Sequence, residues 1–113
     1  MQLHTTFSFA ASHFLTKYHG KCENLHGHNY KLIVTIEDTV KKDGMVMDFK
    51  IIKEKVNEKV ISKIDHTHLN DLIENPSAEN MSIWIWDQLK NELPLKKIKL
   101  YETEDYSCEY DGN

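Results

Sequence analysis

The chain has 113 residues and a formal net charge of -4, and it lacks any apolar run near the ~20 residues that span a bilayer. That length makes one domain over residues 1–113, and the charge argues against a general nucleic-acid binder. All fourteen basic residues are lysine, so a phosphate on any ligand would meet lysine, histidine, backbone N–H groups or metal, with no guanidinium fork. The start, Met1-Gln2-Leu3-His4, lacks the basic and apolar regions of a signal peptide. Two cysteines, Cys22 and Cys108, in a chain that is not cysteine-rich read as free thiols of a reducing cytoplasm.

In chain order, Leu3, Thr5, Phe7, Phe9, Ala11 and His13 alternate with smaller or polar residues, which predicts a first strand with His13 near its end. Phe14 to Leu25 shows no clear period and reads as a loop. A second strand is expected from about His28 to Glu37, with Tyr30, Leu32, Val34 and Ile36 on the side of His28. Asp43-Gly44 marks a turn, and Met45-Val46-Met47 reads as a short extended piece.

Asp48 is placed to cap a helix in which Phe49, Ile52, Val56, Val60 and Ile64 recur at helical spacing. A second helix opens at Asn75-Pro76-Ser77, with Ser77 as cap and Glu79 in a first turn whose dipole suits a carboxylate. Met81, Trp84, Ile85 and Leu89 form its buried stripe, and Pro94 stops it. Two last strands, about Lys96 to Thr103 and Tyr106 to Tyr110, flank Glu104-Asp105 as a hairpin. The order is ββααββ, an α+β fold with an antiparallel sheet and two helices on one face.

The chemistry concentrates in Cys22-Glu23-Asn24-Leu25-His26-Gly27-His28. If strand geometry holds there, His26 and His28 point to one side, about 6.5–7 Å apart along the backbone. Gly27 between them, with no Cβ, lets another backbone or a ligand come close. With His13 on the neighbouring strand they make three imidazoles, a set that fits a zinc ion with one position open. The plain reading of His-x-His is a chance pair on an exposed strand. Cys22 reads as a small buried residue, as a fourth zinc ligand, or as a base or nucleophile, since a thiol near a cation ionises more readily. Spacing does not choose among these.

Asp65-His66 falls where the first helix ends. It reads either as a histidine capping carbonyls or as a carboxylate orienting an imidazole for proton transfer. His4, His19 and His68 read as ordinary. Glu102 alternates with Ile98 and Leu100 on an apolar side, so it must pair with a cation or accept two N–H bonds from a ligand.

The Cys-x-x-x-His-Gly-His stretch resembles the signature of the 6-pyruvoyltetrahydropterin synthase superfamily, and its three-residue gap resembles the 6-carboxytetrahydropterin synthase branch. The likeness extends over Phe9-Ala10-Ala11-Ser12-His13, Met47-Asp48-Phe49, Asp65-His66 with Leu69-Asn70, Asn75-Pro76-Ser77-Ala78-Glu79-Asn80, and Tyr101-Glu102-Thr103. It implies the tunnelling fold, with trimers or hexamers and active sites between subunits. It implies Zn2+ on His13, His26 and His28, an acid/base set of Cys22, Asp65 and His66, and a pterin held by Glu102. Glu79 and Ser77 match a pocket-lining segment, in which Ala78 stands where a hydroxyl residue is common. Lys17, Lys21 and His19 are candidates for the triphosphate. The implied reaction converts 7,8-dihydroneopterin triphosphate to 6-carboxytetrahydropterin, acetaldehyde and triphosphate, in the route to queuosine-type nucleosides. The alternatives are triphosphate elimination alone, giving 6-pyruvoyltetrahydropterin; a related enzyme of folate synthesis, which generally carries glutamate in place of Cys22; and a non-catalytic zinc module closed by Cys22.

Overall fold

The computed structural model describes residues 1–16 and 24–113. Strand β1 (Gln2–His13) and strand β2 (His26–Glu37) pair antiparallel over their whole length, from Gln2 opposite Glu37 to His13 opposite His26. Alternation dictates this register, because Phe7, Phe9, Ala11 and His13 then share one buried side with Tyr30, Leu32, Val34 and Ile36.

Helix α1 (Phe49–Val56) starts at Asp48, whose carboxylate accepts from the Lys50 N–H at 2.9 Å. Its buried residues, Ile52, Val56, Val60 and Ile64, are spaced strictly by four. In a regular α-helix each such step drifts about 40° around the axis, so the stripe would rotate away from the sheet. The chain responds with a π-helical turn over Asn57–Ile61, in which the Ser62 N–H reaches the Asn57 carbonyl, before the closing turn α2 (Ser62–Ile64). The wider turn brings Val60 and Ile64 back onto the core, where burying a side chain of this size contributes about 1.5–3 kcal/mol. Phe49, expected in that stripe, is instead 56% exposed.

Two residues, Thr67–His68, form a short strand β3 parallel to β1, followed by a 3-10 turn at Leu69–Asp71. Helix α3 (Ala78–Leu89) is capped by Ser77, which accepts from the Asn80 N–H, and buries Met81, Ile85 and Leu89. Strands β4 (Leu95–Tyr101) and β5 (Ser107–Tyr110) complete the sheet in the order β3-β1-β2-β4-β5. The expected four-stranded antiparallel sheet is thus corrected to five strands with one parallel edge pair, since a two-residue strand carries no period to read. Met45–Met47 is a bend rather than a strand, with Val46 tucked into the core. The helices cover the side carrying Phe7, Tyr30 and Leu100. Among the described residues no helix is long and apolar enough to cross a membrane.

Candidate metal centre and active site

The last residue of β1 and the first residues of β2 bring three rings together. Opposite pairing places His13 against His26, and alternation adds His28 on the same side. One nitrogen from each lies within 4.8 Å of the others. The ring centroids are 4.7 Å apart for His13–His26 and His26–His28, and 5.2 Å for His13–His28. His13 is 1% exposed. Beneath them Tyr30 stacks on Phe9 at 4.8 Å and meets His13 and His28 edge-on.

The hydrogen bonds fix the outer nitrogens of two of the three rings. His13 Nδ1 lies 2.7 Å from the Pro76 carbonyl oxygen, and His26 Nδ1 lies 2.8 Å from the Asn24 carbonyl oxygen. A carbonyl only accepts, so both Nδ1 atoms donate, and the two Nε2 atoms turn toward the centre of the cluster. Those two Nε2 atoms face each other at 3.1 Å. With the His28 ring alongside, that spacing places three nitrogens where one cation could be held. A backbone carbonyl on the far nitrogen is the usual outer support of a metal-binding histidine, so the donor set fits a divalent ion such as zinc.

Glu102 stands just beyond the end of β4, its Oε1 3.5 Å from His28 Nε2. It also lines a 240 Å³ hollow with Ala78, Glu79, Tyr106, Ser107 and Cys108. Glu79 and Glu102 are therefore brought to one pocket, as their candidate roles require. Ser77 faces a different task, capping α3. Cys108 was not singled out for chemistry from sequence. Its thiol lies 3.1 Å from the Ser82 hydroxyl, which itself donates to the Ala78 carbonyl. Burial pushes the Cys108 thiol up, with the carboxylates of Glu79 and Glu102 adding to the rise, so it lines the hollow as a neutral group.

Asp65 and His66 are joined, His66 Nδ1 lying 3.0 Å from Asp65 Oδ1. The same oxygen accepts the Ala10 N–H at 3.0 Å, and this bond is the chief reason the Asp65 carboxyl is held below its usual range. His66 adopts φ 59, a left-handed conformation that costs a residue with a Cβ about 1–3 kcal/mol, and its N–H is fixed on the Ala10 carbonyl at 2.6 Å. Its side chain is 83% exposed. His66 opens on a 560 Å³ cleft shared with Ser12, Gly27, His28, Asn29 and His68. Ser12, Gly27 and Asn29 are the residues that alternation turns away from the triad's rings. The structure thus brings Asp65 to His66 and opens the His66 ring on a cleft that residues of both sides of β1 and β2 border. His68 borders this cleft, bonded to Ser12 Oγ and stacked on Phe14. Cys22, Lys17, Lys21 and His19 lie outside the described residues.

Comparison with known proteins gives a consistent picture. The family described as 6-pyruvoyl tetrahydropterin synthase matches residues 2–113. A relative from Archaeoglobus fulgidus named putative 6-carboxy-5,6,7,8-tetrahydropterin synthase is 44% identical, covering 87% of this chain and 84% of its own. A Dictyostelium discoideum 6-pyruvoyl tetrahydrobiopterin synthase is 46% identical over 85% of this chain and 77% of its own. A Pyrococcus furiosus dihydroneopterin monophosphate aldolase is 40% identical over 77% and 78%. The solved structure of Caenorhabditis elegans 6-pyruvoyl tetrahydropterin synthase superposes with a TM-score of 0.88 at 28% identity, over 100% of this chain and 96% of that one.

Proposed function

The chain belongs to the 6-pyruvoyl tetrahydropterin synthase family, and from that premise we propose that it is a zinc-dependent 6-carboxytetrahydropterin synthase acting on 7,8-dihydroneopterin triphosphate. The observation that carries the reading is the convergence of one nitrogen each from His13, His26 and His28 within 4.8 Å, beside a hollow lined by Glu102. His13, His26 and His28 hold the ion, which when bound supplies Lewis acidity to the substrate's side-chain hydroxyls.

Glu102 accepts N–H bonds from the guanidine-like edge of the pterin, and Glu79 flanks it. The hollow is smaller than the roughly 300–1,000 Å³ of sites that enclose larger ligands, which suits a bicyclic ring with its side chain left outside. Because Glu102 neighbours His28, a ring held there presents that side chain toward the histidines. Cys22 takes a proton from the side chain, and His66, oriented by Asp65, moves a second. The outward cleft at His66 supports a site shared between copies, in which a neighbour's His66 faces the triad, as in the trimers and hexamers proposed for this chain. Triphosphate then leaves as the side chain is oxidised and the ring reduced, and one water adds as the carbon–carbon bond breaks, its oxygen staying in the carboxylate while the two-carbon fragment departs as acetaldehyde.

The three-residue gap between Cys22 and His26 supports this product over 6-pyruvoyltetrahydropterin, and the thiol at Cys22 counts against a folate-route aldolase. The reaction would sit in the cytoplasm, on the way to 7-deazaguanine nucleosides such as queuosine. Incubation of the zinc-loaded protein with dihydroneopterin triphosphate tests it. Carboxytetrahydropterin and acetaldehyde in equal amounts are expected. A pyruvoyl product without acetaldehyde, or no turnover with zinc retained, overturns the assignment.

A further inference from the structure

The outer edge of β1 is closed by a ladder that is only partly backbone. Ala10 gives its N–H to the Asp65 carboxylate and its carbonyl to the His66 N–H. Next, Ala11 and Ser12 pair with Thr67 and His68 of β3. The chain then curls into its 3-10 turn at Leu69–Asp71 and leaves the edge, yet the pairing goes on. The Asn70 carboxamide takes over: its Oδ1 accepts the Phe14 N–H at 3.0 Å and its Nδ2 donates to the Phe14 carbonyl at 2.9 Å. Asn75 Oδ1 then accepts the Thr16 N–H at 2.9 Å. A carboxamide has the donor and acceptor of a peptide group, so Asn70 continues the edge strand with a side chain.

His13 lies within this stretch. Its ring is tied to the Pro76 carbonyl, and the residue after it is held on both backbone groups by Asn70. All these anchors come from residues 70–76, from within the 3-10 turn to just before α3. Asn75 itself sits at φ 45, a conformation that asparagine tolerates better than most residues.

We propose that Asn70 is a positioning residue of the metal centre, which fixes the end of β1 so that the His13 ring meets the His26 ring, with Asn75 supporting it. The proposal rests on the reading of the three histidines as a metal site, and it concerns how one ligand is held rather than which reaction follows. Outer-shell groups that orient a ligand are typically worth about 10–100-fold in metal affinity.

Zinc affinity measured by chelator competition, together with the visible absorption of the cobalt-substituted protein, reads this directly. Asn70→Ala is expected to weaken zinc about tenfold and to alter the cobalt spectrum. Leu93→Ala, a core truncation beyond the far end of α3, should lower Tm while leaving both unchanged. Asn75→Gly keeps a backbone suited to φ 45 but removes Oδ1, and should weaken zinc several-fold, whereas Asn75→Asp retains the acceptor and should restore affinity. An Asn70→Ala protein that melts earlier but binds zinc as tightly, with the same cobalt spectrum, overturns the proposal. If Asn70→Ala does not fold, equal affinities for Asn75→Gly and Asn75→Asp overturn it. Failure of the unaltered protein to bind zinc or cobalt would instead defeat the metal reading beneath it.

Discussion

Two groups of histidines show opposite designs. The His13–His26 pair is fixed from behind by carbonyl oxygens, packed over Tyr30, and aimed at a point inside the chain. His66 is held through its backbone and Asp65, while its ring stands in solvent at the end of a strained turn. The first group is a set of nitrogens that could hold a cation. The second offers its ring to the surface, with Asp65 as its side-chain partner among the described residues. Rigid support on one side and exposure on the other is the contrast that the proposed roles draw on.

The sharpest break in that contrast is His13→Ala, which should reduce metal content to background and abolish turnover; metal analysis beside the pterin assay checks it. Cys22→Ala comes next. Turnover should fall roughly 10²–10⁴-fold, the range for losing a general base, with zinc content intact. Zinc lost with the thiol would mark Cys22 as a ligand and the centre as structural.

His66→Ala should also lower kcat by about 10²-fold or more while leaving zinc content and Tm unmoved, since an exposed ring holds little of the fold. Mixing inactive His13→Ala and His66→Ala subunits by unfolding and refolding should return part of the activity if each site draws on two copies. No recovery would place both groups in one chain's site.

The smallest effect concerns Asp65. Its carboxyl is lowered in the folded state, so its stabilising contribution is present above the usual aspartate value of about 3.9 and is lost as pH falls through the lower folded value. Asp65→Ala should therefore melt earlier at neutral pH, and the gap in Tm from the parent should close in strong acid. A gap independent of pH would mean that the ionised carboxylate and its Ala10 bond contribute nothing beyond the packing of the side chain.

Much of this was legible in the residues. The triad could be read because His13, His26 and His28 obey the same alternation as Phe9 and Tyr30, and β pairing turns that parity into proximity. Asp48 and Ser77 announced their helices because a cap acts on its immediate successors. What could not be read depends on partners distant in sequence. β3 has two residues and no period, and the π turn answers the sheet rather than local preference. The carboxamides of Asn70 and Asn75 have no visible target until β1 lies beside them, 56 and 59 residues away. Cys108 gave no sign of facing Glu102, because the hollow forms only when β5 folds back beside α3.

The convergence of three imidazole nitrogens within 4.8 Å has a practical corollary. A set that can hold a cation should fill from whatever solution the protein passes through. First-row ions compete for imidazole sites by supply as much as by preference. A sample eluted from immobilised nickel should therefore carry nickel, and its activity should change on stripping and refilling with zinc.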